Sequence, residues 1–374
     1  MKKKVLFVIE SLSGGGAEMV LNTLVQKFDY NKYDVTVCSL VDVGKYNDAI
    51  KRTCNYKYVI PDSTGKSLLF RLWCSLLYHL VYFWLPLKWV YKLFIPKGFD
   101  TEVAFIEGLV TKLLQYSYRR KVAWIHCDLK EFPWPVDTGI YKNLGEEKKA
   151  YSQYDRIAVV SNLSKNHFIE IYGLDDRTRC IYNPIDKKLI RERAGLEKRD
   201  SKDSKFRFIT VGRLTEAKGF DRLIEASARL KQDGFDFELW IVGEGADRGK
   251  FVAYSLELKV QEYVRFLGFQ ANPYMYMSQC DCFVCSSRTE GYSLVIAEAM
   301  CVGLPVISTR CAGPEEILEG GKWGGIVDNS TDGLYEGMRQ MLIDNKTEEY
   351  KELSLERAKS FDIEKTMSEV YSVL

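Results

Sequence analysis

The chain is expected to fold as two α/β domains in succession, each a parallel sheet with helices on both faces, and three observations lead there. At 374 residues it exceeds what one hydrophobic core usually serves. Short apolar runs bounded by Gly, Asp and Asn alternate with longer stretches of helical period, as repeated βα units require. That alternation runs once, stops in a charged stretch, and then starts again.

The N-terminus opens on Met1 and three lysines, followed by the apolar run Val5–Ile9. A signal peptide needs about seven to fifteen apolar residues there. Glu10 interrupts this one, so the run is a first buried strand and the protein is expected on the cytoplasmic side. Further strands are predicted near Val35–Ser39, Val103–Ile106, Val122–His126 and Ile157–Ser161, giving an N-terminal domain over residues 1–185. Residues 186–205, rich in Lys, Arg, Glu and Asp, read as a solvated helix and linker. Strands near Phe206–Val211, Leu239–Val242, Val264–Leu267, Cys282–Cys285 and Val306–Ser308 then define a C-terminal domain over 206–355. The tail, 356–374, has helical period and is expected to cross back to the first domain.

With 28% charged and 46% apolar residues the composition is that of a globular protein, neither disordered nor fibrous. A formal net charge of +2 gives no reason to expect a nucleic-acid partner. The ten cysteines are scattered, several within strand-like runs, which suits reduced thiols. Cys280, Cys282 and Cys285 have no second pair and no nearby His to complete a zinc site, so no metal is expected.

One segment departs from the βα pattern. Residues 67–97 carry a dense aromatic run, 68–94, with Trp73, Phe83, Trp84 and Trp89 punctuated by Arg71, His79, Lys88 and Lys92. Its length would span a bilayer, but Pro86 and the recurring cations favour a helical pair lying in the membrane interface. A buried helical layer of the N-terminal domain is the alternative.

Three motifs sit where chemistry is expected, at strand ends. Gly14-Gly15-Gly16 follows the first strand and leads into a helix, so backbone N–H groups there can approach an anion. It fits neither a Walker loop nor a dinucleotide fingerprint. The second domain opens on a strand ending Gly212-Arg213, with Lys218 on the loop beyond, which puts two cations at the sheet's carboxyl edge. The most specific constellation runs from Ser286 to Met300: a loop bearing Glu290 passes through Gly291, Tyr292, Ser293 and Leu294 into a helix bearing Glu298. The eight-residue spacing allows both acids to project to similar sides of a helix, with helix-terminal N–H groups between them for a phosphate.

These residues resemble the retaining glycosyltransferases of family 4, the glycosyltransferase group 1, over nearly the whole chain, and bacterial polysaccharide-biosynthesis members most of all. The resemblance implies the GT-B fold, two Rossmann-like domains facing each other across a cleft. It implies that Glu290 contacts the transferred sugar, Glu298 the ribose, and Arg213 and Lys218 the donor diphosphate. Gly212 would stand beside them, and Gly291 to Leu294 would line the same donor site. Val242-Gly243-Glu244-Gly245 resembles the family turn that abuts the nucleotide base, and Gly15 and Gly16 would face the donor from the other domain. Tyr182-Asn183-Pro184-Ile185-Asp186 looks like the interdomain turn, with Pro184 and Ile185 replacing Gly-Val. His126 falls where many members place a histidine near the sugar, and Asp128 could pair with it to position the acceptor.

The implied reaction transfers a hexose-type sugar from a UDP- or GDP-linked donor, with no other cofactor, to a glycan acceptor that is lipid-linked. The leaving phosphate helps deprotonate the acceptor hydroxyl, and the protein supplies positioning and charge stabilisation. No Asp-x-Asp occurs in the chain, so metal independence is expected. The aromatic segment would hold the enzyme peripherally at the inner face of the cell membrane. Two rivals remain: a non-catalytic sugar-nucleotide-binding or assembly subunit, and an NAD-dependent oxidoreductase, which the Gly243-Glu244-Gly245 turn fits poorly for want of a third glycine.

Overall fold

The apolar run at the N-terminus forms β1 (Lys3–Ile9), whose last five residues are all buried, as a strand covered on both faces must be. The computed structural model describes residues 1–195, 205–344 and 346–374. The chain divides into two units, Met1–Pro184 with Glu364–Leu374, and Ile185–Ile363.

In the first unit β1 is followed by β2 (Tyr33–Val41), β3 (Asn55–Ile60), β4 (Thr101–Ala104), β5 (Arg120–Ile125), β6 (Arg156–Val159) and β7 (Thr178–Cys180). They form one sheet in the order β3-β2-β1-β4-β5-β6-β7, every ladder parallel. The second unit holds β8 (Phe206–Val211), β9 (Phe237–Val242), β10 (Val264–Gly268), β11 (Cys282–Cys285), β12 (Val306–Thr309) and β13 (Gly325–Val327). Its order is β10-β9-β8-β11-β12-β13, again all parallel. Both are Rossmann-like sheets, so each gathers the loops after its central strands along one carboxyl edge.

Three strands escape the sequence reading: β3, β7 and β13. All are edge strands, where one flank is unpaired and the apolar run that marks a central strand is not needed. The linker expected at 186–205 is also revised. Lys187–Ala194 is a helix of the second unit, capped by Asp186, with Ile190 and Ala194 buried. Arg191 Nε ties it to the Cys301 carbonyl at 2.9 Å. The rest of that expectation, 196–204, lies outside the described residues. The tail forms two helices, Thr347–Lys359 in the second unit and Ile363–Val373, which joins the first. There Tyr371 stacks on Tyr33 with ring centres 4.8 Å apart and accepts the Asp29 N–H, while Thr101 Oγ1 donates to the Leu374 carbonyl at 2.7 Å.

The aromatic segment forms the buried helical layer given as the alternative reading, and it also leaves an apolar face exposed. It runs as a helix Leu68–His79, a π-helical turn Leu80–Trp84, and, after Pro86, a helix Leu87–Phe94. One face, with Leu77, Val81, Val90, Tyr91 and Ile95, enters the core of the first unit. The opposite face leaves Leu69, Leu72, Trp73, Phe83, Trp84 and Trp89 exposed. Two tyrosines bolt the segment to the sheet: Tyr91 Oη bonds the buried Glu102 at 3.0 Å, and Tyr82 Oη donates to Glu10 Oε1 at 3.2 Å. Among the described residues no helix is long and apolar enough to cross a membrane.

Candidate functional site

At the carboxyl edge of the second sheet, the turns after β8 and β9 pack back to back. Gly212 N–H donates to the Val242 carbonyl at 3.0 Å, and Gly243 N–H to the Gly268 carbonyl at 2.8 Å. Gly243 has φ +144°, and a Cβ there would sit 1.9 Å from the Gly212 oxygen, so no side chain fits. Arg213 lies exposed just past β8.

The loop after β11 is held in place from several sides. Ser286 Oγ donates to the Lys218 carbonyl at 2.8 Å, Thr309 Oγ1 to the Ser287 carbonyl at 2.6 Å, and Arg288 grips both Asp221 oxygens at 2.9 and 2.6 Å. Within this frame Lys218 Nζ donates to Glu290 Oε1, which also accepts from Ser287 Oγ at 2.8 Å. Burial works against the lysine charge, but the Glu290 carboxylate outweighs it and the Lys218 pKa is raised. The pair borders a small cavity that also touches Thr210, Cys285 and Val295.

The following helix starts only at Leu294, which leaves Glu290 in the loop and separates it from Glu298. Glu298 is 4% exposed and takes a hydrogen bond from Tyr274 Oη at 3.0 Å. Burial drives its pKa up to about 7, with the tyrosine bond offsetting only part of the effect. Glu290 thus stands on the loop and Glu298 on the helix, as the sequence reading placed them, and each acid has its own partner. Between them Ser293 caps the helix in the left-handed region, φ 62° and ψ 71°, with no side-chain cap bond. Such a conformation costs a side-chain-bearing residue about 1–3 kcal/mol. The surroundings impose it: Tyr292 and Ser293 are buried, and Gly313 packs so tightly on Tyr292 that a Cβ would lie 2.4 Å from its Cα. Glu290 also accepts the Gly313 N–H through its carbonyl, at 3.0 Å, so Gly291 sits in a loop fixed at both ends.

The carboxyl edge of the first sheet differs in character. Gly15 caps the helix Gly16–Lys27, without a side-chain bond, but Glu18 is buried in its first turn. Glu10 precedes the loop, its pKa raised by burial and by Glu18 against the opposing Tyr82 bond. An anion at this glycine loop would meet two carboxylates, with the Lys45 side chain packed against Gly14.

His126 follows β5 directly. Its ring lies 4.9 Å from Phe105 and stacks over Trp124 at 6.5 Å, and its Nε2 is buried without a protein partner. Burial lowers its pKa to about 4, although Glu107 and a hydrogen bond to the Phe105 backbone pull the other way. The expected pairing of His126 with Asp128 does not form. Asp128 is fully buried and turns to the helix Asn162–Tyr172 after β6, where it bonds His167 Nδ1 at 2.8 Å and Ser164 Oγ at 3.4 Å. Sequence reading also missed Glu107 and Tyr274. Glu107 alone had a local signal, a carboxylate just beyond a predicted strand.

Residues 193–357 match the model of the glycosyl transferases group 1, and residues 14–189 that of Glycosyltransferase Family 4. An uncharacterised glycosyltransferase of Methanocaldococcus jannaschii is 32% identical over 314 residues, covering 72% of this chain and 76% of that protein. The chain belongs to the group 1 glycosyltransferases. Another relative of this glycosyltransferase is a Campylobacter jejuni enzyme, 29% identical over 97% of this chain and 96% of that one. Its name is N-acetylgalactosamine-N,N'-diacetylbacillosaminyl-diphospho-undecaprenol 4-alpha-N-acetylgalactosaminyltransferase. Among solved structures, HepE of Anabaena with UDP and glucose superposes with a TM-score of 0.75 at 19% identity, over 99% of this chain and 98% of that one. Sucrose-phosphate synthase of Thermosynechococcus elongatus gives 0.76 at 17%, over 100% and 98%. These likenesses speak to fold, which is GT-B.

Proposed function

We propose that this glycosyltransferase moves a hexose-type sugar from a UDP- or GDP-linked donor to a lipid-linked glycan in bacterial cell-surface polysaccharide assembly, with retention and without a metal. The observation that carries the donor half is the second edge: Lys218 paired with Glu290, Arg213 exposed just past β8, and a strained helix start at Ser293. A diphosphate brings the negative charge that Lys218 and Arg213 neutralise, and backbone N–H groups at Leu294 and beyond add to it. The growing charge on the leaving phosphate is then stabilised by groups fixed in advance. Glu290 is freed to meet the transferred sugar as Lys218 turns to phosphate. Glu298 receives the ribose hydroxyls, and Gly243 brings backbone close to the base. Lys218 and Arg213 take the part a divalent ion would otherwise play.

In this reading His126 meets the sugar or acceptor hydroxyl, since its buried Nε2 gains the hydrogen bond it lacks. The front-face route fits a site in which no side chain is asked to form a glycosyl bond: the leaving phosphate oxygen takes the acceptor proton as the new bond forms on the same face.

The lipid-linked acceptor is supported by the diphospho-undecaprenol substrate in the Campylobacter relative's name and by the aromatic segment. Between residues 63 and 99 the sequence has Lys66, Arg71, Lys88, Lys92 and Lys97 and no acidic residue. An exposed apolar face rimmed by cations complements an anionic lipid surface. Glu290→Ala separates an enzyme from a sugar-nucleotide-binding subunit. Loss of transfer with donor affinity kept within a few-fold is expected; unchanged transfer would remove Glu290 from the reaction.

A further inference from the structure

At the first edge the buried carboxylate of Glu107 joins the ends of two neighbouring strands. It lies three residues beyond β4, is 5% exposed, and accepts the His126 backbone N–H on Oε2 at 2.9 Å. Trp134 Nε1 donates to the other oxygen at 3.4 Å, and the Cys127 thiol donates to the same carboxylate. Every one of these neighbours is a donor, the environment an ionised carboxylate needs. The turn is rigid: Gly108 has φ +87°, and a Cβ there would lie 2.5 Å from Cη2 of Trp134.

β4 and β5 pair only as far as Ala104 and Ala123, so His126 stands beyond that ladder. Its N–H is held by a side chain in place of a strand partner. That bond fixes the peptide on which the imidazole is mounted, and so the rest of the ring against Phe105 and Trp124 with Nε2 unpartnered. A neutral acceptor would satisfy one N–H at lower desolvation cost. The carboxylate also places negative charge beside the imidazole, which a plain turn has no use for.

We propose that Glu107 is a positioning residue that acts on the transfer reaction through His126, fixing the ring for its hydrogen bond to a substrate hydroxyl. This rests on the reading of His126 given above. A displacement of a reacting group by about 1 Å costs up to about 100-fold in rate, and a loss of about 10- to 100-fold in kcat is expected for Glu107→Gln, with KM for the donor changed less than threefold.

The test is a double-mutant cycle on the full chain with Glu107→Gln, His126→Ala and both together, under steady-state transfer. The expected result is that Glu107→Gln costs its full factor in the wild-type background and nothing further once His126 is gone. The same factor in both backgrounds would mark Glu107 as a general structural tie and overturn the proposal. Full kcat in Glu107→Gln beside an impaired His126→Ala also overturns it while leaving the His126 reading intact. Wild-type transfer in His126→Ala removes that reading, and this proposal with it. A second readout uses 15N-labelled histidine, of which the chain has three. Glu107→Gln, or Glu107→Asp if the first does not fold, should move the His126 ring resonances and leave those of His79 and His167 in place; unmoved His126 resonances count against the proposal.

Discussion

The carboxyl edges of the two sheets are built from the same βα repeat and yet differ in the charges they present. The second edge presents cations, a lysine whose charge is reinforced by Glu290, and a helix start unencumbered by acids. The first presents aromatic rings, a neutral imidazole, the part-buried carboxyl of Glu10 and the buried carboxylates Glu18 and Glu107. In the proposed function the cations of the second edge take the polyanion, and an uncharged sugar hydroxyl meets His126 at the first. The fold supplies two ligand edges, and the side chains decide which takes the phosphate.

The sharpest way to break this contrast is Glu290→Ala. Transfer should fall by about 100- to 1000-fold, the range for losing one group that acts on the transition state, as measured by initial rates at saturating donor. A fall below tenfold would mean that the second edge does not hold the reacting sugar.

Next in size is the pH response of Glu298. Its folded pKa of about 7 lies above the ordinary glutamate value of 4.5, so the folded state holds the proton more tightly than the unfolded chain. The stability it contributes is complete below pH 4.5 and is lost as pH rises through 7, on the order of 3 kcal/mol in all. Urea midpoints of wild type minus Glu298→Gln should therefore fall with pH across that window. His126, with a folded pKa of about 4 against 6.5, gives the reverse: stability present above 6.5 and lost as pH falls toward 4. Difference curves of the same sign for the two variants would erase the contrast between the edges.

Gly243→Ala should cost at least about 2 kcal/mol in urea unfolding, because φ +144° and the Gly212 oxygen both exclude a Cβ. The smallest effect is expected at the first unit's aromatic face. Phe83→Ser with Trp84→Ser should weaken binding to vesicles rich in phosphatidylglycerol by about tenfold or more, on the order of one buried aromatic, while transfer to a soluble acceptor stays within twofold.

The two edges also differ in how far the sequence discloses them. Glu290, Ser293 and Glu298 lie within nine residues of one another, and Gly212, Arg213 and Lys218 within seven, so a local motif names the second edge almost whole. The first edge is assembled from Glu10, Glu107 and His126, which only the β1-β4-β5 adjacency brings together. No local pattern encodes that adjacency. The same limit explains Asp128: its neighbour in sequence is His126, but its side chain reaches across to His167 on a helix that follows a different strand. The aromatic segment was ambiguous because its helices are apolar on both faces, and only packing shows which face the core takes.

The central claim, that the second edge holds the donor diphosphate, is tested most directly by calorimetric titration of UDP and GDP in the presence of EDTA. Wild type should bind one of them, His126→Ala should bind it within threefold of wild type, and Lys218→Ala and Arg213→Ala should each weaken it by about tenfold or more, the worth of a charge-assisted contact of about 1.5–3 kcal/mol. Binding that needs a divalent ion, or that His126→Ala abolishes and Lys218→Ala spares, would contradict the account.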